Sequence, residues 1–144
     1  MAVEMIGMIG VQPSGEAKGA HVSVIGGGID KNYVKTFAQT HEQAGFDSVL
    51  IGYTSASADG FSIASYVASV TTDLRFLIAH RPGFVAPTLA ARKAATVDHF
   101  TDGRIALHII TGGSNDEQAR DGDWLDKDDR YSMSTPCGAS RWPR

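Results

Sequence analysis

Four short polar stretches hold most of the side chains with chemical capacity in this chain. They are the residues after Val11, Tyr53-Thr54-Ser55-Ala56-Ser57, His80-Arg81-Pro82-Gly83 and Thr111-Gly112-Gly113-Ser114. Each follows an apolar run. Three of the four offer hydroxyls, a guanidinium or paired glycines, groups suited to hydrogen-bonding a ligand. In parallel α/β sheets, ligands sit at the carboxyl ends of strands. The connections at the other end, Gly45-Phe46-Asp47 and Asp102-Gly103, are short turns. That asymmetry marks one end as the ligand-binding face. His108 lies inside the fourth apolar run. By spacing it reads as a core histidine with a satisfied ring; in a barrel, an inward ring near a strand top would instead hydrogen-bond a flat ligand. Asp98 and His99 are neighbours on a helical stretch, so they point about 100° apart and read as packing and surface groups.

Other chemistries find no support in the spacing. Gly26-Gly27-Gly28 would need a further glycine at position 31 to complete a dinucleotide fingerprint, and Lys31 stands there. No G-x-x-x-x-G-K-[ST] and no G-x-S-x-G occurs. The five histidines share no metal-ligand spacing. Asp121, Asp123 and Asp126 resemble a calcium loop, but its sixth and twelfth positions would be Asp126 and Ser132 rather than Gly and Glu. A solvated acidic loop is the expectation.

The elements that must carry these residues follow from periodicity. Val3–Val11, Ser48–Tyr53, Leu74–Ala79 and Arg104–Ile110 read as strands. Asp30 and Asp59 are candidate N-caps, and Pro87 a first helical residue. The helical faces are Tyr33, Val34, Phe37, Ala38, His41 and Ala44; then Ile63, Ala64, Val67, Ala68 and Val70; then Leu89, Ala90, Ala94, Val97 and Phe100. Gly45 and Gly103 are placed as C-terminal stops. Strands without alternation imply burial on both faces and parallel pairing through helical crossovers. A doubly wound sheet and part of a (β/α)8 barrel both satisfy this order. Residues 111–131 read as a long polar loop, and the helix due after the fourth strand does not emerge from the pattern.

Composition sets the outer bounds. The 144 residues are 42% hydrophobic and 20% charged, with net charge −3 and one cysteine, Cys137. These values describe one globular domain with a real core, no internal disulfide and no basic patch for nucleic acid. A cytoplasmic setting is the expectation. No apolar run approaches the roughly 20 residues of a membrane span. The start carries Glu4 and lacks the basic-then-apolar pattern of a secretory signal.

The stretch LRFLIAHRPGFVAPTLAARKAATVDHFTDGRIALHIITGG followed by DGDWLDKDDRY resembles the luciferase-like flavin-dependent monooxygenases, and within them the alkanesulfonate monooxygenase branch. The similarity extends from about Met5 to Tyr131. The resemblance implies the N-terminal half of a (β/α)8 TIM barrel: about four parallel strands with helical crossovers over residues 1–131, then a disordered, non-homologous tail at 132–144. It implies reduced FMN supplied by a separate flavin reductase, a small organic substrate oxidised with O2, and a homo-oligomer in the full-length form. An alkanesulfonate would release sulfite. Site roles carry over position by position. His108 falls where relatives often place Asn against the flavin ring. Thr111 matches a hydroxyl on the flavin, and Tyr131 a tyrosine reaching the FMN phosphate. Arg81 shapes the mouth and attracts anions, and so counts among the cofactor-binding residues. Ser57 stands where sulfonate-cleaving relatives carry a cysteine near the flavin, and His21 is a substrate-side group; these two are the catalytic candidates.

Relatives are well over twice as long, which makes this chain an expected N-terminal fragment, inactive alone, with a frameshifted or mis-spliced end after Tyr131. The alternatives are a non-catalytic flavin-binding or pairing module, and a doubly wound protein holding another phosphate ligand. A half barrel would keep two unpaired edges and wet apolar faces, so poor solubility, self-pairing or marginal folding is expected.

Overall fold

The non-alternating apolar runs form four parallel strands, each followed by helix. The computed structural model describes residues 3–11 and 28–134, with side chains up to Ser132. The elements are β1 (Ile6–Ile9), α1 (Lys31–Gln43), β2 (Ser48–Ile51), α2 (Gly60–Ala68), β3 (Arg75–His80), α3 (Pro87–Phe100), β4 (Ile105–Ile109), α4 (Asn115–Arg120) and α5 (Lys127–Ser134). The strands lie in the order β1-β2-β3-β4, all parallel.

The register separates the two faces of the sheet. Gly7, Val49, Phe76 and Ile105 align in one row, and Met8, Leu50, Leu77 and Ala106 in the next. Val49, Phe76 and, two residues on, Ile51 and Ile78 join Val34 and Ala38 of α1, Ile63, Ala64 and Val67 of α2 and Val97 of α3 in a single core. The alternate row is not covered: Met8 and Ala106 are exposed. Helices α1 to α3 therefore pack on one face only. A doubly wound sheet reverses its winding and carries helices on both faces. Consecutive strand order with one-sided helices is barrel winding, and the fold is part of a TIM barrel.

Local signals explain the helix boundaries. Asp30 Oδ1 accepts from the backbone N–H groups of Asn32 and Tyr33, each at 3.0 Å. Asp59 caps α2 by accepting from Ser62 N at 2.8 Å. Pro87 opens α3, where its missing N–H costs nothing. Gly45 and Gly103, with φ of +80° and +78°, end the first and third helices in the left-handed region. At Gly7 a Cβ would overlap the His41 ring, so glycine lets β1 and α1 approach closely. Glu42 at the end of α1 fastens the entry to β3. Its Oε1 accepts from the N–H groups of Thr72 (2.8 Å), Asp73 (2.8 Å) and Leu74 (3.0 Å). Burial pulls its pKa upward, but these three donors and the charge of Arg104 outweigh that and hold it below the ordinary value.

Several expectations are corrected. The strands are not buried on both faces: β1 and β4 are edges, and no residue of β4 is fully buried. In the expected run Val3–Val11, only Ile9 and Val11 are buried. On α3 only Val97 is buried, while Leu89 and Phe100 face solvent, because α3 has a neighbouring helix on one side only among the described residues. The reading of residues 111–131 as a loop also fails. Two short helices lie there, and α5 runs to Ser134, three residues past the boundary drawn at Tyr131. Both are polar and hold no apolar stripe, so hydrophobic periodicity could not reveal them. The segment 12–27, with its apolar island at 21–25, and residues 135–144 lie outside the described residues.

Candidate functional site at the carboxyl ends of the strands

The ends of β2, β3 and β4 are tied together by Arg81. Its side chain is almost fully buried, with guanidinium carbon 4.2 Å from the Tyr53 ring centroid and 4.7 Å from that of Phe84. It pairs with Glu117 at 3.2 Å and with Asp121, and also donates to Gln118 Oε1. Its Nε, also buried, has no hydrogen-bond partner among the described residues. Glu117 in turn accepts from Ser55 N at 2.6 Å, and Tyr53 Oη donates to Asp121 at 3.4 Å. A buried guanidinium is tolerated only when paired, and here Glu117 of α4 and the helix's C-cap residue, Asp121, supply two carboxylates four residues apart. The network thereby fixes α4 against the turns after β2 and β3.

Arg130 performs the matching task after β4. It is buried and donates from Nε to Thr111 O at 2.9 Å, from Nη1 to Leu125 O and from Nη2 to Asn115 Oδ1 at 2.9 Å. This bonds α5 to the end of β4 and to the start of α4. Gly112, at φ +82°, sits against the Gln118 side chain, where a Cβ would overlap the amide. Gly113, by contrast, has open space where a Cβ would stand.

Between these staples lies an open cavity of about 610 Å³. Tyr53 and Thr54 line it from the turn after β2, Thr111 to Ser114 from the turn after β4, Glu117 from α4 and Tyr131 from α5. The volume is within the range of small-molecule and cofactor sites, roughly 300–1,000 Å³. Its polar lining is hydroxyl groups and bare glycine backbone. Glu117 is the acidic side chain on the described cavity wall, and Arg81 and Ser55 N already engage it. Such walls bind and orient; a ligand held there must bring its own reactivity.

The expected site residues separate on this map. Thr111 and Tyr131, twenty positions apart, line the same cavity. His108 does not line it. His108 is exposed on the helix-free face of the sheet, opposite Ala79, so the core-histidine reading is overturned. Arg81 lines a small neighbouring cavity of about 50 Å³, with Thr111 and Arg130. Ser57 closes a local turn: its hydroxyl donates to Thr54 O at 2.8 Å and accepts from Thr54 N at 2.9 Å. His21 lies outside the described residues. Asp121 is no solvated loop residue, since it holds Arg81. His80, beside Arg81, packs edge-on against Phe61; burial, then the charge of Lys93, lowers its pKa and keeps the ring neutral at pH 7. Glu117, Asp121 and Arg130 were the functional residues not foreseen. The carboxylates at 117 and 121, one helical turn apart, were the available signal.

A parallel sheet wound as a partial barrel, with a cofactor-sized cavity at its carboxyl end, defines a TIM-barrel ligand mouth. Residues 6–134 match the luciferase-like monooxygenase family, and the chain belongs to that family. Among solved structures, it is similar to long-chain alkane monooxygenase (LadA), with 26% identity and a TM-score of 0.64 over 73% of this chain and 29% of that one. It is also similar to DmoA from Hyphomicrobium sulfonivorans, with 27% identity and a TM-score of 0.61 over 73% of this chain and 27% of the other. The oxygenating constituent of 3,6-diketocamphane monooxygenase from Pseudomonas putida, a type II Baeyer-Villiger enzyme solved with FMN, shares the fold at 19% identity. Its TM-score is 0.68 over 93% of this chain and 38% of that one. The chain thus spans between about a quarter and two fifths of these structures. No helix among the described residues is long and apolar enough to cross a membrane.

Proposed function

We propose that this chain supplies the front half of the flavin site of an FMN-dependent monooxygenase. The observation that carries the reading is the convergence of Thr111 and Tyr131 on one cavity at the carboxyl end of the sheet. The family and the FMN held by one structural neighbour support it. The residues fit a flavin in kind. Hydroxyls of Thr111 and Tyr131 can hydrogen-bond its polar edge and phosphate, and Gly113, with nothing within 4 Å of where a Cβ would stand, leaves room for close approach. Arg81 is not counted among the ligand contacts, because Glu117 and Asp121 consume its charge; it positions α4 instead. Reduced FMN, when bound, supplies the electrons that activate dioxygen. The chain's own residues hold and orient the ring and keep one side of it from water.

In this reading a separate reductase provides reduced FMN and the substrate is a small organic molecule. An alkanesulfonate is the version the resemblance offers, and Ser57 in place of cysteine speaks against it. A second reading, a flavin-binding module without chemistry, is favoured by the lack of any uncommitted acid or base on the described cavity wall.

Titration with FMN, followed by flavin fluorescence, tests the proposal. Saturable quenching is expected, and Thr111→Val and Tyr131→Phe should each weaken binding about 2- to 10-fold, the effect of one lost hydrogen bond. Absence of saturable quenching up to millimolar FMN would refute flavin binding. Product formation from a small organic substrate, with a flavin reductase added, then separates the enzyme from the non-catalytic module.

A further inference from the structure

We propose that Lys127 is the residue that selects a phosphorylated flavin, FMN, over uncharged riboflavin at the cavity between Thr111 and Tyr131. The inference rests on the flavin reading above and deepens it. It starts from a mismatch of charge. A phosphate monoester carries about −1.5 to −2 charges at neutral pH. The described residues that line the cavity offer hydroxyls, glycine backbone and the Glu117 carboxylate, with no lysine or arginine among them. The two buried guanidiniums beside the cavity are already committed. Arg81 is paired with Glu117 and Asp121, and Arg130 donates to Thr111 O, Leu125 O and Asn115 Oδ1. On this part of the mouth, a positive charge for the phosphate has to come from the rim.

Lys127 stands on that rim. It is the first residue of α5, one helical turn before Tyr131, and side chains four positions apart share a helix face. Its Nζ lies 6.0 Å from the Tyr131 ring centroid, and Tyr131 lines the cavity. Asp126, Asp128 and Asp129 flank Lys127 in sequence. Even so, no ion pair ties its ammonium to a carboxylate among the described residues. The residue is exposed, so its flexible four-carbon stem can swing the ammonium toward an anion at the tyrosine hydroxyl without giving up a buried contact.

The contact so formed is charge-assisted: the ammonium donates to one phosphate oxygen and the phenol to another. Riboflavin ends in a hydroxyl at that place and draws little from the charge. Before a ligand arrives, attraction between the ammonium and the Tyr131 ring keeps the cation at the mouth.

Fluorescence titrations of the 144-residue chain with FMN and with riboflavin, at low ionic strength, test the assignment. The unaltered chain should prefer FMN. Lys127→Gln should weaken FMN binding about 3- to 10-fold and change riboflavin binding by less than about 2-fold, the scale of one exposed charged contact. Lys127→Arg should keep most of the preference. Lys35→Gln, which removes the same charge from the outside of α1, should leave it unaltered. Salt at about 0.5 M should erase most of the difference between the unaltered chain and Lys127→Gln, because exposed charges are screened. Equal affinity of the unaltered chain for both flavins, equal weakening of both by Lys127→Gln, or a larger loss from Arg120→Gln on α4 would overturn the assignment and leave the flavin reading standing. Failure of the unaltered chain to bind either flavin would overturn both.

Discussion

Replacing Arg81 by methionine is expected to lower the unfolding free energy by about 3 kcal/mol and to release α4. Removing one partner of a buried ion pair costs about 3–5 kcal/mol, because the opposite charge is left uncompensated. Here the lower end applies, since the Glu117 and Asp121 side chains keep 24% and 22% of their surface in water. Methionine retains the apolar stem between Tyr53 and Phe84, so the loss reports charge and hydrogen bonding more than packing. Adding Glu117→Gln and Asp121→Asn to Arg81→Met should restore part of the stability, because the stranded carboxylates are then neutral. Denaturant midpoints measure both changes. If the single variant costs under 1 kcal/mol, or the triple variant is no better than the single one, Arg81 is not the tie described above.

The second large effect is expected at Phe76. Its side chain is fully buried near the start of β3, with Val49 and Ile105 as lateral neighbours and the Arg104 guanidinium 5.3 Å from its ring centroid. Arg104 donates from there to Ala68 O and Thr101 O, each at 2.9 Å, joining the ends of α2 and α3. Phe76→Ala removes buried surface, leaves a cavity and takes away the platform for Arg104. The expected cost is about 3–5 kcal/mol. Domains of this size hold about 5–15 kcal/mol in total, and a sheet with two open edges sits low in that range. Phe76→Ala should therefore leave a chain without a cooperative thermal transition or near-ultraviolet dichroism. A loss below 1 kcal/mol would contradict the packing.

What could be read without coordinates follows from the range of each signal. The strands and α1 to α3 were legible because their information is local: apolar runs, Asp30 and Asp59 as caps, Pro87 as a start. Barrel winding was not legible in the residue pattern, since it depends on which face the helices choose; the family resemblance supplied it, and the one-sided helices agree with it. Helices α4 and α5 escaped because long-range polar contacts at Arg81 and Arg130 hold them, and these have no periodicity. Edge exposure at Ile6 and Ile109 depends on what lies beside a strand, which no residue states about itself. At the site, Thr111 and Tyr131 came from family resemblance, and the structure places them on one cavity. Arg81 was read as a mouth residue because its two acidic partners lie 36 and 40 positions away.

The central claim is that the cavity between Thr111 and Tyr131 receives the flavin. Backbone amide resonances followed during FMN addition test it most directly. The expected result is a set of saturable shifts confined to Tyr53, Thr54, Thr111 to Ser114 and Tyr131. Shifts centred on the outer groove between α2 and α3, at Leu89, Arg92 and Thr96, or no shifts at all, would contradict it.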